Sequence, residues 1–318
     1  MNRSDKPLLI SIVGPTAIGK TALSIKLAQH FDCQILSCDS RQFFKEMTIG
    51  TAAPTKVELA AAQHHFIQNI SIHDQYSVGD FEKQAISKLT QIFKTNKFAI
   101  IVGGSGLYLD AVCNGLDVFP EINKNIREQL ILDYQSFGIE FLQTKLMIVD
   151  EYYFKKLSTE NPQTLQNPQR LLRFLEICIG SGKPYSSFLQ KQDVIRDFDI
   201  ISIGIDANRE IIYDKINRRV DLMVKNGLID EAKKLLPFKN LNALQTVGYR
   251  ELFECFSSGY SLDFAIEEIK KNTRRFAKRQ LTWFKKNENT RWFDYKTDSS
   301  AIVDFINLNS YNANITKI

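Results

Sequence analysis

The sequence has few of the features that mark disulfide-rich, zinc-binding or membrane proteins. Its five cysteines are scattered, odd in number and without a Cys-x-x-Cys pair, which argues against a disulfide framework and a zinc site. No apolar run approaches the length that crosses a bilayer, and the polar first residues predict no signal peptide. Internal repeats and low-complexity tracts are also absent. We therefore expect a cytoplasmic protein that binds no membrane.

What is present is typical of a chain with a large core. The 318 residues are 44% hydrophobic and 24% charged, which excludes wholesale disorder. This length allows one large domain or two smaller ones. The net charge of +5 is modest and excludes no class of partner, so the positions of the charges matter more than their sum.

The first apolar segment is followed by a glycine-rich loop and a helix. Leu8–Val13 predicts a strand buried on both faces of a parallel sheet, and residues 22–28 have helical spacing. Between them the pattern G-x-x-x-x-G-K-[ST] is matched at every fixed position by Gly14, Pro15, Thr16, Ala17, Ile18, Gly19, Lys20 and Thr21. The loop N–H groups and Lys20 would bind a phosphate anion, and the Thr21 hydroxyl would bind an accompanying Mg²⁺.

Two further strands end in polar or glycine-rich segments. Residues 34–38 lead into Asp39, and residues 99–102 lead into a turn that contains Ser105. Ligands of open α/β sheets bind beyond the carboxyl ends of the strands, so Asp39 should lie near the phosphate loop. It could act as a general base or as an outer-sphere Mg²⁺ partner, or it could merely cap a following helix. Ser105 could hydrogen-bond a phosphate oxygen.

Strand character is absent between residues 121 and 196. Four segments there have helical spacing, namely 126–134, 140–149, 151–157 and 169–179. Arg170 and Arg173 are neighbours on the last helix and could bind backbone phosphates, although a merely exposed charged face explains them as well. We predict an α/β fold in which residues 1–120 and 197–318 form a P-loop NTPase-like parallel sheet flanked by helices. Residues 121–196 would form an inserted helical domain.

The segment from 270 to 286 is strongly basic. It has eight basic residues and no acidic one, and at about 100° per residue all eight fall on one side of a helix. They are Lys270, Lys271, Arg274, Arg275, Lys278, Arg279, Lys285 and Lys286. We expect Ile269, Phe276, Trp283 and Phe284, on the opposite side, to face the core. Such a helix is typical of polyanion binding, with a solvated cationic face as the alternative.

These motifs, in this order, resemble the tRNA dimethylallyltransferase (tRNA isopentenyltransferase) family in its compact bacterial form. The matching segments are 14–21, 39–42, Ile49-Gly50-Thr51-Ala52, His64-His65, 102–108, 169–173, Val247-Gly248-Tyr249-Arg250 and 278–283. The resemblance implies transfer of a dimethylallyl group from dimethylallyl diphosphate to N6 of adenosine 37, next to the anticodon, in tRNAs that read codons beginning with U. Mg²⁺ is the implied cofactor, and the tRNA anticodon stem-loop is the implied partner. We expect a monomer.

The resemblance also implies roles for individual residues. Asp39 matches the general base, and Ser105 and Arg219 match catalytic residues that hold the diphosphate. tRNA contacts are implied for Asp39, Ser40, Arg41, Gln42, Ser105, Arg127, Gln169, Arg170, Arg173, Arg250, Arg275, Lys278, Arg279 and Gln280. Ala53 and Phe44 depart from the family pattern, which often has Lys and Tyr at these positions.

Three other functions remain open from the residues alone. A small-molecule P-loop kinase would share the phosphate loop and Asp39, but it would not explain the helical insertion. Prenylation of free AMP is the chemically nearest alternative, although a free nucleotide gives no reason for a row of eight cations. A non-catalytic RNA-binding module would not need Lys20, Thr21 and Asp39 together.

Overall fold

The computed structural model describes residues 6–189 and 194–312, which form two compact units. The first unit combines Met1–Asn114 with Ile195–Ile318, and the second is Gly115–Val194. The helical unit therefore begins at Gly115, whereas the sequence pattern predicts a start at residue 121. Among the described helices, none is both long and apolar enough to cross a membrane.

The first unit is built on a six-stranded sheet in which every neighbouring pair is parallel. Its strands are β1 (Leu8–Val13), β2 (Gln34–Ser37), β3 (His64–His65), β4 (Phe98–Val102), β5 (Asp199–Asp206) and β6 (Arg291–Asp294). Their order across the sheet is β3-β2-β4-β1-β5-β6. All six residues of β1 are buried, as expected for a central strand covered on both faces. The predicted α/β fold class is confirmed.

Helices cover both faces of this sheet. In chain order they are α1 (Lys20–His30), α2 (Lys56–Ala61), α3 (Val78–Ile92), α4 (Gly106–Asn114), and then, beyond the helical unit, α8 (Arg209–Lys225), α9 (Leu228–Leu235), α10 (Tyr249–Ser258), α11 (Leu262–Phe284) and α12 (Ser299–Asn312). One apolar core joins the sheet to α1, α8 and α12, and a second joins it to α3 and α4. A third core lies among α8, α9, α10 and α11.

Parallel pairing brings three loops to one edge of the sheet. β1, β2 and β4 are neighbours, so the phosphate loop, the segment from Asp39 and the turn containing Ser105 all leave the same edge. Gly14 at the start of the phosphate loop has φ of 146°, and a Cβ there would lie 2.4 Å from the Ile205 carbonyl oxygen. Only glycine fits this close approach.

The helical unit has its own core. It contains α5 (Lys124–Val149), α6 (Glu151–Glu160) and α7 (Pro168–Ser181). Non-helical angles at Gly138 break α5, which agrees with the two separate segments expected from the spacing. Pro168 at the first turn and left-handed Gly182 after the last turn delimit α7.

Candidate active site

The phosphate loop holds its lysine against its own backbone. Lys20 Nζ donates hydrogen bonds to the carbonyl oxygens of Gly14 (3.0 Å) and Pro15 (2.8 Å). Burial, and after it the neighbouring Arg219, lower the pKa of Lys20 to about 8, against an opposing effect of Asp39. In the free protein, burial therefore disfavours the charged form of Lys20, and a bound anion would stabilise it.

Arg219 reaches the phosphate loop from α8. Its Nη1 donates to the Thr16 hydroxyl at 3.3 Å. Burial lowers the pKa of Arg219, against the attraction of Asp39 and Glu58, but an arginine stays charged. Two cations, Lys20 and Arg219, thus lie at one loop, an arrangement that favours a multiply charged anion between them.

Asp39 lies beside the loop without capping a helix. Its Oδ1 accepts the backbone N–H of Arg41 at 3.1 Å, which closes a turn, and the next helix begins only at Lys56. Ser40 and Ser105 join this segment to the neighbouring turn, because Ser40 N donates to Ser105 Oγ (3.0 Å) and Ser105 Oγ donates to Ser40 Oγ (2.9 Å). The helix-capping alternative for Asp39 is therefore wrong.

Asp39, Ser105 and Arg219 line a cavity of about 510 Å³, within the usual size range of ligand pockets. Its polar part includes Thr16, Asp39, Ser40, Ser105, Arg219 and Gln280. Its apolar part includes Ile216, Val220, Met223, Leu228, Val247, Ile269, Phe276 and Trp283. The cavity therefore presents cations and a carboxylate at an apolar wall, which suits a ligand with a charged head and a hydrocarbon tail.

The structure corrects one prediction about the apolar side of the basic segment. Ile269 and Phe284 are buried, as expected, but Phe276 and Trp283 are 36% and 38% exposed and line the cavity. The Trp283 Nε1–H donates to Asp110 Oδ2 at 2.8 Å, which fixes the indole. The helical spacing separated apolar from basic residues correctly but could not distinguish a core from a cavity wall.

Comparison with known proteins gives the family. A family model described as IPP transferase matches residues 42–287. The chain is also 63% identical to the tRNA dimethylallyltransferase of Flavobacterium johnsoniae, over 94% of this chain and 96% of that protein. The chain belongs to the tRNA dimethylallyltransferase family. The resemblance stated from the motifs is confirmed.

Solved structures support the same assignment for the fold. The chain is 34% identical to the tRNA isopentenylpyrophosphate transferase of Bacillus halodurans, with a TM-score of 0.70 and coverage of 97% of this chain and 98% of that one. A eukaryotic dimethylallyltransferase acting on tRNA matches with a TM-score of 0.78 at 24% identity, over 97% of this chain and 80% of that one, which shows a shared fold.

Several cations of the basic segment 270–286 are paired with other side chains in this member of the transferase family. Lys270 pairs with Asp221 of α8, Lys271 with Glu268, and Lys285 with Asp206, each at 2.8 Å. Arg274 donates to Asn217 at 2.8 Å. The acidic partners lie outside the segment 270–286, so its own composition could not reveal them. Arg275, Lys278 and Arg279 are exposed and have no acidic partner within the described ranges.

Three residues expected to contact tRNA bind other parts of the first unit in the free protein. Arg41 Nη1 donates to the carbonyls of Asn242 (2.9 Å) and Ala243 (3.0 Å), and the Gln42 amide donates to the carbonyls of Thr51 and Ala52. Gln280 is buried and hydrogen-bonds Thr16 and Gly104. Arg250, by contrast, is exposed and lines the cavity.

Two of the three arginines predicted in the helical unit bind one carboxylate. Glu176, largely buried, accepts from Arg127 (2.8 Å) and Arg173 (3.4 Å), and Arg127 also donates to Gln169 (3.2 Å). Arg170 donates to the Thr164 hydroxyl at 2.9 Å. Sequence spacing did not indicate Glu176. Its carboxylate joins Arg127 of α5 to Arg173 of α7.

Proposed function

We propose that this chain transfers the dimethylallyl group of dimethylallyl diphosphate to N6 of adenosine 37 in tRNAs that read codons beginning with U. One observation carries the proposal, namely that Asp39 and Arg219 line a cavity with an apolar wall and both act on the charge of Lys20 in a member of this family. The name of the relatives supports tRNA, rather than free AMP, as the acceptor. It gives no support to a small-molecule kinase.

The first chemical requirement is to neutralise the leaving group. The allylic C–O bond breaks readily when the departing diphosphate is stabilised, because the allyl cation is delocalised. Lys20, Arg219 and the loop amides supply donors for the diphosphate oxygens, and Ser105 adds a hydroxyl. The apolar wall, with Phe276 and Trp283, would surround the dimethylallyl group and exclude water that could capture the cation.

The second requirement is to remove a proton from N6. The N6 lone pair is delocalised into the adenine ring, so the amine becomes a nucleophile only as its proton leaves. Asp39 would accept that proton while the carbon–nitrogen bond forms. Its Oδ1 already accepts one backbone N–H, which orients the carboxylate without a second side chain. Adenosine 37 would have to leave its stack to reach Asp39.

Mg²⁺ is the cofactor we propose. Among the described residues no group of three or more His, Cys, Asp or Glu could hold a metal, which fits an ion bound mainly through substrate phosphate oxygens. The Thr21 hydroxyl, half-buried at the first turn of α1, would be the protein ligand, with Asp39 as an outer-sphere partner. When bound, Mg²⁺ neutralises charge on the leaving group.

The tRNA backbone would contact the exposed cations of α11 and the arginine pair beside Glu176. Single-stranded loop bases are the part of an RNA that a protein can read, and Asp39, Ser40, Ser105 and Arg250 are the candidates for reading them. We also propose a monomer that acts in the cytoplasm, where tRNA is available.

A direct assay tests the function. The protein is incubated with dimethylallyl diphosphate, Mg²⁺ and an unmodified tRNA whose anticodon loop contains A36-A37-A38, and the nucleosides are analysed by mass spectrometry. We expect prenylated adenosine at position 37 and none in the same tRNA with guanosine at that position. Equal prenylation of free AMP, or transfer of phosphate from ATP to a small molecule, would contradict the proposal.

The lowered pKa of Lys20 predicts a pH effect on diphosphate binding. Below about pH 8 the ammonium is charged and attracts the anion, and above it the free protein increasingly holds the neutral amine. The affinity for dimethylallyl diphosphate should fall by up to about tenfold per pH unit above pH 8, because binding then takes up one proton. Titration calorimetry at pH 7, 8 and 9 measures this. Lys20→Met is the control, and an equal pH response in that variant would contradict the assignment.

The pairing of cations on α11 predicts which of them contribute to tRNA binding. Each lost phosphate contact lowers the slope of log affinity against log salt by about 1. We expect this decrease for Lys278→Ala and Arg279→Ala, which lack acidic partners in the part of the chain that the structure describes. Lys271→Ala is the matched control, since Lys271 already pairs with Glu268. Filter binding at several salt concentrations measures these slopes. Equal slopes in the wild type and the three variants would exclude α11 from the tRNA interface.

A further inference from the structure

One buried side chain of α11 connects two loops of the active site. Gln280 is 4% exposed. Its Oε1 accepts the backbone N–H of Thr16 in the phosphate loop at 2.8 Å, and its Nε2 donates to the carbonyl oxygen of Gly104 at 3.0 Å. A single amide therefore joins the loop after β1 to the turn after β4, two segments far apart in sequence.

The contact with Thr16 determines which loop amides face a ligand. Because the Thr16 N–H points to Gln280, it is not among the donors that the loop offers to an anion. The Thr16 hydroxyl accepts from Arg219 Nη1 on its other side. Thr16 is thus held from two directions, by α11 through its backbone and by α8 through its side chain. This fixes the first part of the phosphate loop.

The contact with Gly104 acts on the neighbouring turn. A Cβ at position 104 would lie 2.4 Å from Gln280 Nε2, so the close approach of this amide requires glycine. The next residue is Ser105, whose hydroxyl is hydrogen-bonded to Ser40. Gln280 therefore sets the position of Ser105 relative to the phosphate loop, while Ser40 sets it relative to Asp39.

We propose that Gln280 is a positioning residue for prenyl transfer, which holds the phosphate loop and the Gly104–Ser105 turn at the spacing that a diphosphate requires. This inference rests on the proposed function for the transfer step. It replaces the expected direct contact of Gln280 with tRNA, because the side chain is buried and both ends of its amide bind the protein. Nothing in the sequence motif distinguishes these two roles.

Gln280→Met tests the proposal, since methionine has a similar length and no hydrogen-bonding amide. The unpaired Thr16 N–H and Gly104 carbonyl should weaken binding of inorganic pyrophosphate with Mg²⁺ and lower kcat, each by about ten- to a hundredfold. tRNA affinity, measured by filter binding, should stay within about twofold of the wild type. Thr282→Ala, an exposed change on the same helix, is the matched control and should behave as the wild type.

A second variant covers the case in which Gln280→Met folds poorly. Gly104→Ala displaces the same amide from the opposite side, so it should lower pyrophosphate affinity and kcat in the same way. The double variant should lose no more than the worse single variant, because both changes break the same amide bridge between the two loops. Additive losses would contradict the proposal.

Two results would overturn the positioning role. Weaker tRNA binding with normal pyrophosphate affinity, and a kcat restored at saturating tRNA, would make Gln280 a tRNA contact. Normal pyrophosphate affinity and kcat per folded molecule, with only a lower melting temperature, would make it purely structural. If the wild type transferred no prenyl group, the proposed function would fail, while the pyrophosphate measurements would still test Gln280.

Discussion

Asp39→Asn is expected to lower kcat for tRNA prenylation by about 10²- to 10⁴-fold, the usual contribution of a general base. Asparagine has the same shape and can still accept the Arg41 N–H through its carbonyl oxygen, so the turn should remain. It cannot accept the proton from N6. The loss should therefore appear in turnover, with affinity for tRNA and for dimethylallyl diphosphate little changed.

The measurement combines single-turnover kinetics at saturating substrates with filter binding of tRNA. Asp74→Asn is a matched control, because Asp74 also closes a turn, through the Ser71 N–H, and does not line the cavity. Its activity should equal that of the wild type. A normal kcat in Asp39→Asn, or a loss explained entirely by weaker tRNA binding, would assign Asp39 another role.

Arg219→Gln is expected to lower kcat/KM for dimethylallyl diphosphate by about 10²- to 10³-fold. Arg219 is one of two cations at the phosphate loop, and the charge on the diphosphate grows as the allylic bond breaks. Glutamine is polar but shorter than arginine, and it carries no charge. Because the guanidinium hydrogen-bonds the Thr16 hydroxyl and no carboxylate in the described chain, its removal should not lower the melting temperature.

The adjacent Arg218 provides the control. Arg218 is exposed and pairs with Asp214 on the same helix at 3.0 Å, so Arg218→Gln changes the net charge equally without touching the cavity. Its kcat/KM should stay within about twofold of the wild type, as for most exposed ion pairs. Steady-state kinetics with dimethylallyl diphosphate as the varied substrate compares the two variants. Equal losses in both would mean that net charge, and not the position of Arg219, matters.

The parts of the site that are local in sequence could be predicted. The strand from Leu8 to Val13, the phosphate loop and the helix from Lys20 are contiguous, and their order alone indicates an anion site. Asp39 could be placed because parallel strands deliver their carboxyl ends to one edge. These inferences need no knowledge of distant contacts.

The remaining parts depend on distant contacts. Val220 and Met223 of α8 form part of the cavity wall, but their spacing is that of any apolar helix face. Asp206 and Asp221 neutralise cations of α11 from other elements, so the basic segment appears more highly charged in the sequence than in the fold. Gln280 lies in a segment that predicts RNA contact, yet it faces inward.

The backbone contacts of Lys20 have a consequence for product release. Under the proposed function, the pyrophosphate left after prenyl transfer would have to depart from the phosphate loop. As it leaves, the Lys20 ammonium can return to the carbonyls of Gly14 and Pro15, which accept it in the free protein. The lysine would therefore exchange one set of oxygen acceptors for another. The two carbonyls would offset part of the free energy that the ammonium loses when the product leaves.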